Sequence, residues 1–333
     1  MAVLLLAAFV TNAHAQLGDI DRVLKGGVED ANLLLTKYTE PLARGFGAGL
    51  NSGWISASAP HKPFGFHVRV GAGVAMVPSS DRGFTVSNEE LSTLRVVNPE
   101  IGESPTASGA DDAATYILET IERHPFTDEA LARFEMPAGI GVPYVPAPEI
   151  QLGVGAVRNT SLMLRLVPSL ELDEFGSVGM FGVGVQHGLN QWIPGGDFLP
   201  IDLSVQLGFT RFGLNVDLSD SDEPGPSDQE LDWNASAFAM NVIAGKSLSF
   251  ISGYAGLGWE SSSSDIALKG TYEIESEVGT EQIKDPIALN FSGVNGLHAL
   301  AGMRLRLFIL TINAEYTLAK YPSLNAGIGF SLR

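Results

Sequence analysis

The chain has 333 residues, 38 of them acidic against 20 basic, for a formal charge of -18, and it contains no cysteine. A balance this acidic lacks the basic footprint of a nucleic-acid binder, and without thiols neither disulfides nor cysteine metal sites are available. Mean hydropathy is +0.15 with charged residues at 17 %, so the chain needs somewhere to put apolar surface.

At the start, Ala2 to Val10 is an apolar run the length of a secretory h-region, followed by Ala13-His14-Ala15, an A-x-A site. Cleavage is expected before Gln16, with residues 1-15 as a signal peptide that lacks the usual basic n-region. The run is too short for a membrane helix of about twenty residues. With no cysteine beyond the site, a lipoprotein anchor is not expected.

Between Asp19 and Leu50 the apolar residues Ile20, Val23, Leu24, Val28, Leu33, Leu34, Leu35 and Tyr38 recur at helical spacing. Pro41 is expected to break the pattern, with Gly45 to Gly49 as a flexible connector. Residues 16-55 read as a helical segment ahead of the main domain, either a periplasmic cap or a plug. Three successive leucines need a partner surface.

From Phe64 onward strands dominate. The segments Ile201 to Phe212, Leu297 to Leu307, Leu310 to Leu318 and Ser323 to Leu332 alternate, with Leu, Val, Ile, Ala, Met, Tyr and Phe on one face. Ser, Asn, Gln and Gly dominate the other. Ten-residue segments of this period are the pattern of transmembrane strands. No later stretch offers eighteen consecutive apolar residues, and a closed barrel gives apolar surface a place in lipid. The fold expected is an all-β transmembrane antiparallel barrel of about twelve to fourteen strands, residues 56-333, with an N-terminal helical plug or cap.

Short turns are expected at Lys246 to Phe250, Leu307-Phe308 and Lys320 to Pro322. Long polar loops are expected at Asp217 to Asp232, Ser261 to Asp265 and Val278 to Pro286. Trp192, Phe198, Trp233, Tyr254, Trp259, Tyr316 and Tyr321 are candidates for interfacial girdles. An insertion near 88-137 interrupts the strands, and Asp111 to His124 within it reads as a helix.

Chemistry is sparse. Gly182-Val183-Gly184 and Gly71-Ala72-Gly73 match no dinucleotide or phosphate loop, and the histidines show no metal-ligand spacing. The acidic stretch from Asp217 to Asp232 lacks the order of a calcium loop and reads as a solvated loop, with cation bridging to lipopolysaccharide as an option. No catalytic constellation, metal site or cofactor is expected. His298 sits on the inferred lumen face in line with Arg304 and Arg306.

Asp30 to Trp54, His61 to Phe66, Gly182 to Thr210 and Tyr321 to Arg333 together resemble an uncharacterised family of Bacteroidota outer-membrane proteins, known as a domain of unknown function. More distantly, the helix-then-barrel order resembles the FadL channels for fatty acids and hydrocarbons. Their Asn-Pro-Ala hatch has no counterpart here, since Asn98-Pro99-Glu100 lies elsewhere. These resemblances imply an outer-membrane barrel and a passive channel for small hydrophobic solutes, with Leu33, Leu34, Leu35, Tyr38, His298 and Arg304 as ligand or gating residues. A barrel that scaffolds or shuttles surface proteins is the alternative. Implied partners are outer-membrane lipid, lipopolysaccharide, the barrel assembly machinery and a hydrophobic ligand.

Overall fold

The computed structural model describes residues 24, 26-171, 176-218, 228-276 and 279-332. The expected signal peptide and the first turns of the expected helix lie outside them. Ten antiparallel strands are β1 (Phe66–Met76), β2 (Tyr144–Ala156), β3 (Thr160–Glu171), β4 (Ser177–Gly188), β5 (Asp202–Asp217), β6 (Glu230–Ser247), β7 (Ile251–Lys269), β8 (Gly296–Leu307), β9 (Leu310–Leu318) and β10 (Ser323–Leu332). Each pairs with its neighbours, and β10 pairs back to β1 from Phe66↔Leu332 to Ala75↔Ser323, which closes the barrel. Closure leaves the barrel no free edge. The segment Ile287–Ser292 extends the sheet beside the far end of β7.

Ten strands are fewer than the twelve to fourteen expected. The chain is spent instead on strand length, with 18 residues in β6 and 19 in β7, and on the connections 77-143 and 270-295. Ser261 to Asp265 therefore lies inside β7, where a loop is expected from its polarity.

Outward positions are apolar and inward positions polar. Leu203, Val205, Leu207 and Phe209 face out on β5, while Ser204, Gln206 and Thr210 face in and are fully covered. The apolar face has a limit. On β7 it runs from Ile251 through Ala255 and Leu257 to Trp259, then gives way to Ser261, Ser263 and Asp265. Trp259 stacks near Phe238 at 6.1 Å across β6 and β7, and the two mark that boundary. Trp233, Tyr254 and Tyr321, expected in a girdle, point inward and are buried, because each falls on the lumen side of the alternation or under the loops.

The two ends of the barrel differ. At one, residues 157-159, 189-201, 248-250 and 308-309 connect strands. This turn end is apolar at its tips, with Phe308 98 % and Phe198 92 % exposed, and Phe64, Trp192 and Phe250 also exposed. The other end carries 77-143, 218-229 and 270-295. The short link 319-322 lies at this loop end too, opposite the turns with which it is grouped by length alone.

Helix α1 (Val28–Asn51) passes straight through Pro41 and the glycine run. The glycines are helical because the helix is squeezed between walls. A Cβ at Gly47 would lie 2.3 Å from Ser262 Oγ, and one at Gly49 2.8 Å from the Ala147 methyl. Around Pro41, the Tyr38 carbonyl takes a hydrogen bond from the Ala107 N–H at 2.9 Å. No described helix is long and apolar enough to cross a membrane.

Asp111 to His124, expected as a helix, is not one. Ile117–Thr120 forms the middle of a three-stranded sheet with Leu94–Val96 and Arg133–Glu135. Leu118 is buried while Glu119 pairs with Arg95 at 3.3 Å and Arg133 at 2.9 Å. Those partners are distant in sequence, so cross-strand pairing overrides a helical spacing that only local residues suggest. Together with Leu34, Leu35 and Tyr38 of α1, and with Ile287, Leu289 and Phe291, this sheet builds a hydrophobic core over the loop end.

Candidate functional site in the lumen

The polar residues that alternation sends inward do not face an open pore. They hold the backbone of the N-terminal segment. Arg165 on β3 donates to the carbonyls of Leu50 and Ser52, both at 2.7 Å. Arg69 on β1 donates to the Gly53 carbonyl. Between the guanidiniums lies Glu149 of β2, 2.6 Å from Arg69 and 2.8 Å from Arg165. On the far side Glu315 accepts the Gly53 N–H at 2.8 Å and the Tyr254 hydroxyl at 2.9 Å.

Two guanidiniums and two carboxylates thus balance one another, all buried to within a few per cent. Burying unpaired charge costs several kcal/mol per ion, so the set is tolerable only because each member has a counter-charge and hydrogen bonds. The plug supplies what the barrel wall cannot: carbonyls at the end of a helix, where backbone acceptors lack intrahelical partners. Arg165 also stacks on Trp54, 3.9 Å from its ring centre, a cation–π contact strengthened by desolvation.

Below this clamp the extended stretch continues to be read by the wall. Gln151 donates to the Trp54 carbonyl at 3.2 Å, Gln186 to that of Ala57 at 2.9 Å, and Ser204 to that of Ser58 at 2.8 Å. Gly53 has φ +72, and a Cβ there would lie 2.2 Å from the Asn325 amide. Only glycine fits a left-handed position pressed on the wall. Near the turn end, His61 and His67 are linked ring to ring at 2.7 Å.

The wall made by β5 to β8 is different. Gln206, Asn241 and His298 form a chain, with 2.6 Å between each pair of side chains. It stops at Glu260, 3.9 Å from His298 Nδ1, too far for a hydrogen bond. Glu260 Oε1, His298 Nδ1, Gln206 Nε2 and Thr210 Oγ1 have no hydrogen-bonding partner among the described residues.

The residues singled out in the sequence fall into three places. Leu34, Leu35 and Tyr38, with Leu33 at the margin, pack into the loop-end core. The Tyr38 hydroxyl donates to the Ala138 carbonyl at 2.8 Å, and burial pushes its pKa up to about 12. His298 lies on the β8 wall, and Arg304 lies farther toward the turn end, with no partner for Nε or Nη1 among the described residues. The structure does not bring these three groups together. The clamp residues Arg69, Glu149, Arg165 and Glu315 are not evident as a set in the sequence. Each leaves a signal, however, as a charge set in an apolar alternation, as in His67-Val68-Arg69-Val70 and Leu164-Arg165-Leu166. Among the described residues no group of His, Asp and Glu is placed to hold a metal ion.

The family model described as "Family of unknown function (DUF6588)" matches residues 1–332. The chain belongs to that family. No curated protein matches the sequence of this DUF6588 member. Among solved structures it is similar to the attachment invasion locus protein Ail of Yersinia pestis, at 9% identity and a TM-score of 0.25, covering 81% of this chain and 99% of that one. The outer membrane protease OmpT of Escherichia coli aligns at 8% identity and a TM-score of 0.31, covering 81% and 97%. The translocator domain of autotransporter NalP from Neisseria meningitidis aligns at 10% identity and a TM-score of 0.30, covering 82% and 90%. At these values the likeness says nothing further of this DUF6588 chain.

Proposed function

We propose that the protein is an outer-membrane barrel forming a passive channel, closed at rest by its own N-terminal segment. One observation carries this reading: buried Arg69 and Arg165, bridged by Glu149, grip the carbonyls of Leu50, Ser52 and Gly53 inside a closed, apolar-skinned barrel. Shifting the segment would uncover a wall of Arg, Gln, Asn, Ser and Glu. Such a surface suits small hydrophilic solutes, in place of the hydrophobic ones implied by the FadL-like layout. Leu33 to Tyr38 would then hold the plug in the loop-end core, with no solute against them.

The test is ion conductance of refolded protein in planar bilayers. The natural chain is expected to be nearly silent, and a chain lacking residues 16-50 to conduct steadily. A Gly45→Cys/Val145→Cys pair tethers the plug: a Cβ at Gly45 would lie 3.1 Å from that of Val145, and a shift of about 0.7 Å brings the two to the mean disulfide separation of about 3.8 Å. With no native cysteine, the oxidised pair should suppress any residual openings and a reductant should restore them. Silence of the truncated barrel, while still heat-modifiable on a gel, would sink conduction. It would favour a scaffold for surface proteins, a reading to which the exposed Ile121, Phe126 and Leu131 of the insertion also lend support.

A further inference from the structure

The N-terminal segment has a direction inside the barrel, and β2 measures it, since Tyr144 begins at the loop end and Ala156 ends at the turns. Gly45 packs on Val145 and Gly49 on Ala147. The Trp54 carbonyl meets Gln151, and the Phe64 N–H donates to the Gly155 carbonyl at 3.1 Å. Sequence number rises together along both segments, so the chain enters the lumen at the loop end and leaves it at the turn end before turning back as β1.

The entry point is fastened. The carboxylate of Asp30 accepts the N–H groups of Ser92, Thr93 and Leu94, each at 2.8 Å. The Asn32 side chain bridges the Pro286 carbonyl and the Ala288 N–H, both at 3.0 Å. Leu24 is buried in the same loop-end core. All these partners belong to the connections 77-143 and 270-295.

Outer-membrane barrels keep short turns on the periplasmic side and long loops outside. We propose that this barrel displays the start of α1 on the outer face of the cell, holding it by a segment threaded inward through the lumen. The inference rests on the outer-membrane reading and not on conduction. Assembly permits the threading, because the seam joins the first strand to the last. The segment is laid against the sheet before β1 and β10 zip together. Once closed, the barrel and its loop-end connections grip the segment from Asp30 to Phe64.

Cysteine labelling in intact Gram-negative cells tests this directly, since the chain has no cysteine of its own. Glu29 is exposed in the first turn of α1, and Ser249 is exposed in the turn between β6 and β7. A membrane-impermeant maleimide is expected to label Glu29→Cys in intact cells and Ser249→Cys only after the outer membrane is permeabilised. Both variants should run as heat-modifiable barrels. Labelling of Glu29→Cys only after permeabilisation would overturn the display while leaving the closed-channel reading intact. Recovery of the folded protein in the soluble fraction would overturn both.

Discussion

At the residue scale, the clamp works because no member can leave without stranding another. Glu149 is the counter-charge of two buried guanidiniums. Glu149→Gln keeps its shape but leaves Arg69 and Arg165 facing each other with Glu315 as their remaining carboxylate. Breaking a buried ion pair costs about 3 to 5 kcal/mol. The variant is expected to unfold at lower denaturant in detergent and to open readily in bilayers. Glu260→Gln makes the contrast. Among the described residues, Glu260 has no cation within ion-pair distance except a protonated His298 at 3.9 Å. Its neutralisation should leave the unfolding midpoint unchanged or raise it, and equal losses in the two variants would show that the clamp holds nothing special.

At the element scale, α1 and the loop-end insertion stabilise each other. The helix brings Leu34, Leu35 and Tyr38, and the insertion brings Leu94, Leu118 and Phe134 to one core. A latch closes beside it, where Tyr321 of the link 319-322 donates to Asp81 at 2.6 Å and Lys320 lies 3.5 Å away. Partial burial of Asp81 works to raise its pKa. The hydrogen bonds from Tyr321 and Ser80 and the charge of Lys320 outweigh that and hold it below the ordinary carboxylate value. A depressed folded pKa stabilises the protein at pH above the unfolded value of about 3.9, and the contribution disappears as pH falls through the folded value. Stability measured from pH 7 down to pH 2 should therefore drop less steeply below pH 4 in Asp81→Asn than in the natural chain. Identical acid profiles would remove the latch from the account.

For the whole molecule, the apolar skin sets the membrane position. From Ile251 to Trp259 on β7 the skin spans about 20 Å at the strand tilt of such barrels. The exposed Leu248 and Phe250 of the adjoining turn extend it toward the usual band of about 25 Å. The apolar turn tips are thus placed at one membrane interface, with Ser249 at its water side, and the polar upper halves of β5 to β7 stand beyond the other. Ile328, 60 % exposed in the middle of β10, faces the lipid. Ile328→Arg is expected to cost about 2 to 4 kcal/mol in lipid, measured by unfolding from vesicles. A loss equally large at Ser263, above the band, would mean that the band is misplaced.

Much of this was legible in the chain itself. Strand alternation such as Leu324 to Leu332 depends only on neighbours two apart, so the barrel class, the outward face and the polar lumen follow from sequence without any distant contact. The N-terminal helix was legible for the same reason, through its local period. What tertiary structure decided were the features set by distant partners. Pro41 and Gly45 to Gly49 look like breaks until the helix is seen to run through them, with its glycines kept bare by the lumen walls. The spacing of Asp111 to His124 looks helical until Leu94–Val96 and Arg133–Glu135 claim Ile117–Thr120 as a strand. Strand number escaped because length and count trade off within one chain. The clamp escaped because its charges lie on β1, β2, β3 and β9, and only closure of the sheet around the plug makes them neighbours.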